Sequence, residues 1–168
     1  MWLYPGVAAR CDVRLPEGFV TQEGRPFSGA ETRGKPAALF FGYTQCPDVC
    51  PTTLFEISND LAALGEEAQS LQVIFVTVDP TRDTPQVLKE YLSSFDTRIV
   101  ALTGSIDAIV RLAHTYGTTF RSLRSGEEYT IEHSPAVFLL GRDGQLTGVL
   151  SFNEDRQAHL AKLRELLR

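Results

Sequence analysis

No stretch of this 168-residue chain is long and apolar enough to span a bilayer. The opening residues, Met1-Trp-Leu-Tyr-Pro-Gly, lack the apolar centre of a signal peptide. The expectation is therefore a cytosolic protein, or one whose targeting segment lies outside this sequence. There is no basic run. The 16 Lys and Arg stand against 21 Asp and Glu, a formal net charge of −5, which argues against nucleic acid as a partner. Cysteine is scarce. Three cysteines cannot build a disulfide scaffold, and an odd count leaves at least one unpaired within the chain. No internal repeat or low-complexity tract is present, which excludes solenoids and disordered arrays. What remains is ordinary globular material, 43% hydrophobic, expected as one domain over 1–168 with an irregular segment over 1–17.

Residues 1–34 are rich in Gly, Pro and charge, with a short hairpin expected around Gln22 to Arg25. A central strand is read at 37–43, then a helix at 52–64 with Pro51 at its first position. Residues 71–79 form a nearly continuous Val/Ile/Phe run, the mark of a strand buried on both faces. Asp83-Thr-Pro85 opens a helix with Val87, Leu88, Tyr91, Leu92 and Phe95 on its apolar face. A short strand at 99–102 leads to a helix capped by Ser105 and stopped at Gly117. Residues 118–132 read as an irregular hairpin turning at Ser125-Gly126. Strands at 136–140 and 146–152 flank an Asp143-Gly144 turn, and Asn153 is expected to cap the last helix. The pattern predicts an α/β sandwich with a mixed sheet.

Cys46 and Cys50 lie between the first central strand and its helix, at the carboxyl end where open α/β sheets place their sites. The first N–H groups of a helix lack partners and carry partial positive charge, so both thiols are expected to have lowered pKa values. Two thiolates four residues apart can bind a soft metal, exchange disulfides, or do both. Two sulfurs leave a metal site open, and histidine is the commonest further ligand. The candidates are His114, read as a structural or surface residue, His159, read as solvated, and His133, immediately before the 136–140 strand.

Beyond Cys46 and Cys50, the ordered motifs are Val76-Thr-Val-Asp79-Pro-Thr-Arg-Asp-Thr-Pro85, Leu102-Thr-Gly104, Glu132-His133-Ser and Asp143-Gly144. Together, from about Phe19 to the C-terminus, they resemble the SCO/SenC family of copper-binding, thioredoxin-like proteins that assist the copper centre of cytochrome c oxidase. The resemblance implies a thioredoxin-like mixed sheet flanked by helices, with a hairpin inserted before the last strands. It implies copper, Cu(I) or Cu(II), held by Cys46, Cys50 and His133. It also implies an oxidase copper-bearing subunit as partner, along with other copper chaperones or thiol–disulfide reductants. The implied location is the periplasm or intermembrane space, with a membrane anchor. Gln45, Glu132 and Pro135 depart from common family choices, and none of them removes a proposed ligand.

The remaining candidates carry two readings each. Asp79 is a weak ligand or carboxylate near the metal, or else the cap of the turn into Pro80. Arg82 and Asp83 are read as a local ion pair and helix cap. Asp48 is an exposed turn residue facing a partner. Cys11 is an unpaired thiol, and Phe41 and Tyr43 are aromatics beside the site. The Ser134–Pro135 bond is expected to be trans. Functionally, a copper carrier leads. A thiol–disulfide reductase that keeps the oxidase cysteines reduced is the alternative. A peroxidase ranks last.

Overall fold

The computed structural model describes residues 17–168, so the readings of Cys11 and the N-terminal segment fall outside the described residues. Its strands are β1 (Phe19–Thr21), β2 (Pro26–Phe27), β3 (Ala37–Gly42), β4 (Gln72–Thr77), β5 (Ile99–Thr103), β6 (Phe120–Ser125), β7 (Glu128–His133), β8 (Val137–Leu140) and β9 (Leu146–Leu150). Its helices are α1 (Val49–Leu64), α2 (Pro85–Leu92), α3 (Ile106–Thr115) and α4 (Arg156–Leu167). Seven strands form one sheet in the order β2-β1-β5-β4-β3-β8-β9. β3, β4 and β5 run parallel, while β1, β8 and β9 are antiparallel to their neighbours. This is the expected mixed sheet flanked by helices, and β6 with β7 is the inserted hairpin, a separate two-stranded sheet.

The period-2 alternation of the central strands explains the layering. Leu39, Phe41, Ile74 and Val76 point to the face covered by Ile109 and Leu112 of α3. Phe40, Val73 and Phe75 point to the other, under Leu54, Ile57 and Leu61 of α1, Leu88 of α2 and Leu160 of α4. Each such side chain, once fully buried, contributes roughly 1.5–3 kcal/mol. The two filled faces hold β3 rigidly, and β3 ends at the dithiol.

Several local expectations shift. The first helix starts at Val49 rather than 52, so Cys50 is already its second residue and Pro51 its third, where no N–H is needed. Val87 is exposed, because the stripe of α2 that meets the sheet is Leu88 and Leu92. The cap of α4 is Asp155, whose carboxylate accepts from the N–H groups of Gln157 and Ala158. Asn153 instead takes φ +66°, a left-handed turn that asparagine tolerates. His159 is buried rather than solvated, with Nδ1 3.3 Å from Asp60 Oδ2. Ser105 and Gly117 stand at the two ends of α3 as read, and no described peptide bond is cis, so Pro135 follows a trans bond. No helix among the described residues is long and apolar enough to cross a membrane.

Candidate metal centre

The chain leaves β3 at Gly42 and turns back at once, the Cys46 N–H donating to the Tyr43 carbonyl over 3.2 Å. A Cβ on Gly42 would lie 2.7 Å from Cys50 Sγ and 2.6 Å from Phe75 Cε2. Glycine is therefore what lets the strand end lie directly over the second cysteine. Cys46 is half-buried, and Cys50 is 1% exposed. Asp48 stands at the N-cap of α1 with its side chain exposed and unused as a cap.

His133 reaches this turn from the end of β7. Its Nε2 lies 3.4 Å from Cys50 Sγ, and its Nδ1 lies 3.0 Å from the Ser134 carbonyl oxygen. A carbonyl can only accept, so Nδ1 carries the hydrogen. Nε2 is then the ring's lone-pair face, turned to the sulfur. Burial lowers the His133 pKa, against a smaller opposing effect of the Ser134 carbonyl, and favours the neutral ring. The Tyr43 ring meets the imidazole edge-on at 5.8 Å. An open recess of about 430 Å³, lined by Thr119, Phe120, Arg121, Glu132 and His133, lies beside it.

The donor atoms of Cys46, Cys50 and His133 all lie within 4.8 Å of one another. Donors bonded to one ion at roughly 2.0–2.3 Å lie about 3.5–4 Å apart, so small side-chain shifts would close the three onto a metal. Two sulfurs and an imidazole form a soft set. The expectation of a lowered thiol pKa fails for Cys50. Burial pushes this thiol well up, the Cys46 and Asp83 side chains add to the rise, and the hydrogen bond to the Tyr43 backbone only partly opposes it. A buried sulfur loses more from desolvation than it gains from the helix end.

Asp79 is 3% exposed, and its carboxylate is engaged by Arg82 Nε and by the Tyr129 hydroxyl at 2.8 Å. Its backbone carbonyl accepts from the N–H groups of Arg82 and Asp83, so it also ends the turn. Arg82 pairs with Asp79 and not with Asp83. Asp83 is fully buried and caps nothing. Its carboxylate accepts from Thr44 N at 3.0 Å, Thr44 Oγ1 at 2.6 Å and Thr77 Oγ1 at 2.6 Å, tying the turn before Cys46 to the end of β4. The helix cap is Thr84. The Arg82 guanidinium lies 3.7 Å from the centroid of the Tyr129 ring. His114 is exposed on α3, and His159 lies in the Asp60 pair, so neither joins the three donors. Gly42 and Tyr129 were not singled out from the sequence. A glycine closing an apolar strand signals close approach, whereas a tyrosine in a polar hairpin gives no such sign.

The SCO1/SenC family model matches residues 13–168. Protein SCO2, mitochondrial, of Saccharomyces cerevisiae is 36% identical over 154 residues, which cover 89% of this chain and 51% of that protein. The chain thus spans about half the length of that curated relative. Among solved structures, Bradyrhizobium japonicum ScoI with copper bound superposes with a TM-score of 0.82 at 37% identity, covering 90% of this chain and 97% of that one. Yeast Sco1 with copper bound gives 0.80 at 33% identity, covering 89% and 85%.

Proposed function

The chain belongs to the SCO1/SenC family, and from that premise we propose that it is a copper carrier, holding one ion on Cys46, Cys50 and His133 and serving assembly of the copper centre of cytochrome c oxidase. The observation that carries the reading is the convergence of two sulfurs and one unprotonated imidazole nitrogen within 4.8 Å at the end of β3. Two relatives at 37% and 33% identity have been solved with copper bound. Thiolates suit Cu(I) by softness, and the imidazole supports Cu(II) when oxygen ligands complete the sphere. Copper binding at this site should release protons, because burial favours the protonated thiol of Cys50 and a metal-bound sulfur is a thiolate. The family reading implies a partner subunit of the oxidase and a location facing the periplasm or the intermembrane space.

The test is a titration of the fully reduced protein with Cu(I), Cu(II) and Zn(II), followed by spectroscopy of the ligands. One copper per chain is expected. Cys46→Ser and Cys50→Ser should abolish tight binding, and His133→Ala should weaken Cu(II) most. Equal binding of both oxidation states by wild type and His133→Ala sinks the assignment.

A second reading, thiol–disulfide exchange, is favoured by the unequal exposure of the pair. Half-buried Cys46 can attack a partner disulfide and form a mixed disulfide, releasing one partner thiol. Buried Cys50 then displaces the second. The partner gains two electrons and two protons, and Cys46–Cys50 is left oxidised. Exchange should survive His133→Ala, whereas Cu(II) retention should not.

A further inference from the structure

The hairpin that delivers His133 is not part of the main sheet. β6 pairs only with β7, and β6 is almost wholly exposed. A lone two-stranded hairpin is marginal in water, so side-chain contacts with the body must set where it sits. Alternation along a strand puts Tyr129, Ile131 and His133 on one face of β7. Each of the three meets the body. Ile131 is buried, and its N–H donates to the Tyr43 hydroxyl at 3.2 Å. His133 meets Cys50. Tyr129 lies face-on to the Arg82 guanidinium at 3.7 Å and donates its hydroxyl to Asp79 Oδ1 at 2.8 Å.

Arg82 serves both ligand-bearing segments at once. Its Nη1 donates to Gln45 Oε1 at 2.9 Å, beside Cys46, and to the Tyr129 carbonyl at 3.4 Å. Its Nε is held by Asp79, whose burial keeps the pair in a region where charges interact strongly. Guanidinium and ring also attract as cation and π-face. Tyr129 stands four residues, about 13 Å, from His133 along β7, far enough to act as a lever on the imidazole.

We propose that Tyr129 is a positioning residue for the third donor: clamped between Arg82 and Asp79, it fixes the tilt of the β6–β7 hairpin and thereby brings His133 onto Cys50. The proposal rests on the copper reading above for its consequence, but the clamp itself can be read without metal.

The experiment uses wild type, Tyr129→Phe, Tyr129→Ala, His133→Ala and the double variant. Amide hydrogen exchange of the reduced, metal-free protein is the first readout. Tyr129→Ala should raise exchange across 120–133, most at Ile131, while β3 and β4 stay as protected as in wild type. Cu(II) binding is the second. Tyr129→Ala should weaken it roughly 10–100-fold, the range for residues that orient a ligand. Its Cu(II) spectrum should move toward that of His133→Ala. Tyr129→Phe, which keeps the ring on Arg82 and loses only the hydroxyl, should show both effects to a smaller degree. If Tyr129→Ala does not fold, Tyr129→Phe decides by the same two readouts.

Action through His133 requires that adding Tyr129→Ala to His133→Ala costs no further affinity. Unchanged protection of the hairpin in Tyr129→Ala overturns the proposal. So does an equal loss of affinity in the wild-type and His133→Ala backgrounds. Wild-type affinity in His133→Ala would instead overturn the copper reading, and the exchange data would still decide the clamp.

Discussion

Cys50 Sγ and His133 Nε2 lie 3.4 Å apart across 83 residues of chain, the sulfur on the first turn of α1 and the nitrogen at the end of β7. With Nδ1 committed to the Ser134 carbonyl, the ring offers one nitrogen to the site. The metal-free, reduced protein should therefore show His133 as the Nδ1–H tautomer in ¹⁵N-resolved NMR. Adding Cu(I) should shift Nε2 and leave Nδ1 protonated. Detection of the Nε2–H tautomer in the metal-free protein overturns this orientation.

Gly42 offers a second handle on the same sulfur. Gly42→Ala puts a methyl group 2.7 Å from Cys50 Sγ and 2.6 Å from the Phe75 ring, so something must move. Overpacking of this kind costs about 1–3 kcal/mol, measurable as a lower urea midpoint. Copper affinity, read by competition with a chelator, should fall with it, since the sulfur is one of the displaced atoms. A variant with wild-type stability and wild-type affinity contradicts the packing described here.

The dithiol and His133 were legible because a strand–turn–helix carries the first two and a family motif marks the third. The three-layer fold was legible because the central strands are apolar on both faces and the helices are striped. What was not legible lies in pairings distant along the chain. Arg82 leaves its neighbour Asp83 and reaches Tyr129 47 residues on, and Asp83 reaches back 39 residues to Thr44. His159 finds Asp60 99 residues away. The raised Cys50 pKa was missed for a different reason. Helix-end charge follows from the order of strand and helix, whereas the depth of burial of residue 50 does not.

The Asp60–His159 pair should be structural and separable from metal binding. Burial raises the Asp60 pKa, while His159 and Arg156 partly oppose the rise. His159→Ala removes the nearest partner of the buried Asp60 carboxyl while Arg156 Nε stays at 3.5 Å, and should cost about 1–3 kcal/mol, seen in urea unfolding. Asp60→Asn together with His159→Ala should recover part of that loss. Copper stoichiometry should stay at one per chain throughout. A large loss of copper binding in a folded His159→Ala protein breaks the separation.

The Asp96–Arg98 pair should contribute to stability against acid. The Arg98 guanidinium and backbone N–H hold its carboxyl below the usual value. A lowered folded-state pKa means stability that is present above the unfolded carboxyl value of about 3.9 and is lost as pH falls through the folded value. Asp96→Asn should thus be less stable than wild type at neutral pH. The two denaturation curves should converge as pH drops below about 3.9. A gap that stays constant from pH 7 to acid assigns the effect to lost hydrogen bonds alone.

Oxidation of the dithiol should exclude copper. Cys46 and Cys50 are both free thiols on one turn, with sulfurs inside the 4.8 Å cluster, and a disulfide needs only that they approach to bonding distance. An oxidant such as oxidised glutathione removes two electrons and two protons from the pair and is itself reduced to two thiols. Afterwards neither sulfur can form the thiolate that a soft ion requires. His133 alone, facing an oxidised turn from the end of β7, leaves one good donor where three stood. Oxidised protein, verified by absence of free thiol at 46 and 50 in mass spectrometry, should take up Cu(I) with affinity too low to survive a desalting column. Reduction should restore one copper per chain. The converse should hold too: copper-loaded protein should react with oxidised glutathione more slowly than metal-free reduced protein, because the attacking sulfurs are occupied. Full copper uptake by the oxidised form without reductant would place the ion elsewhere in the molecule and remove the dithiol from the site.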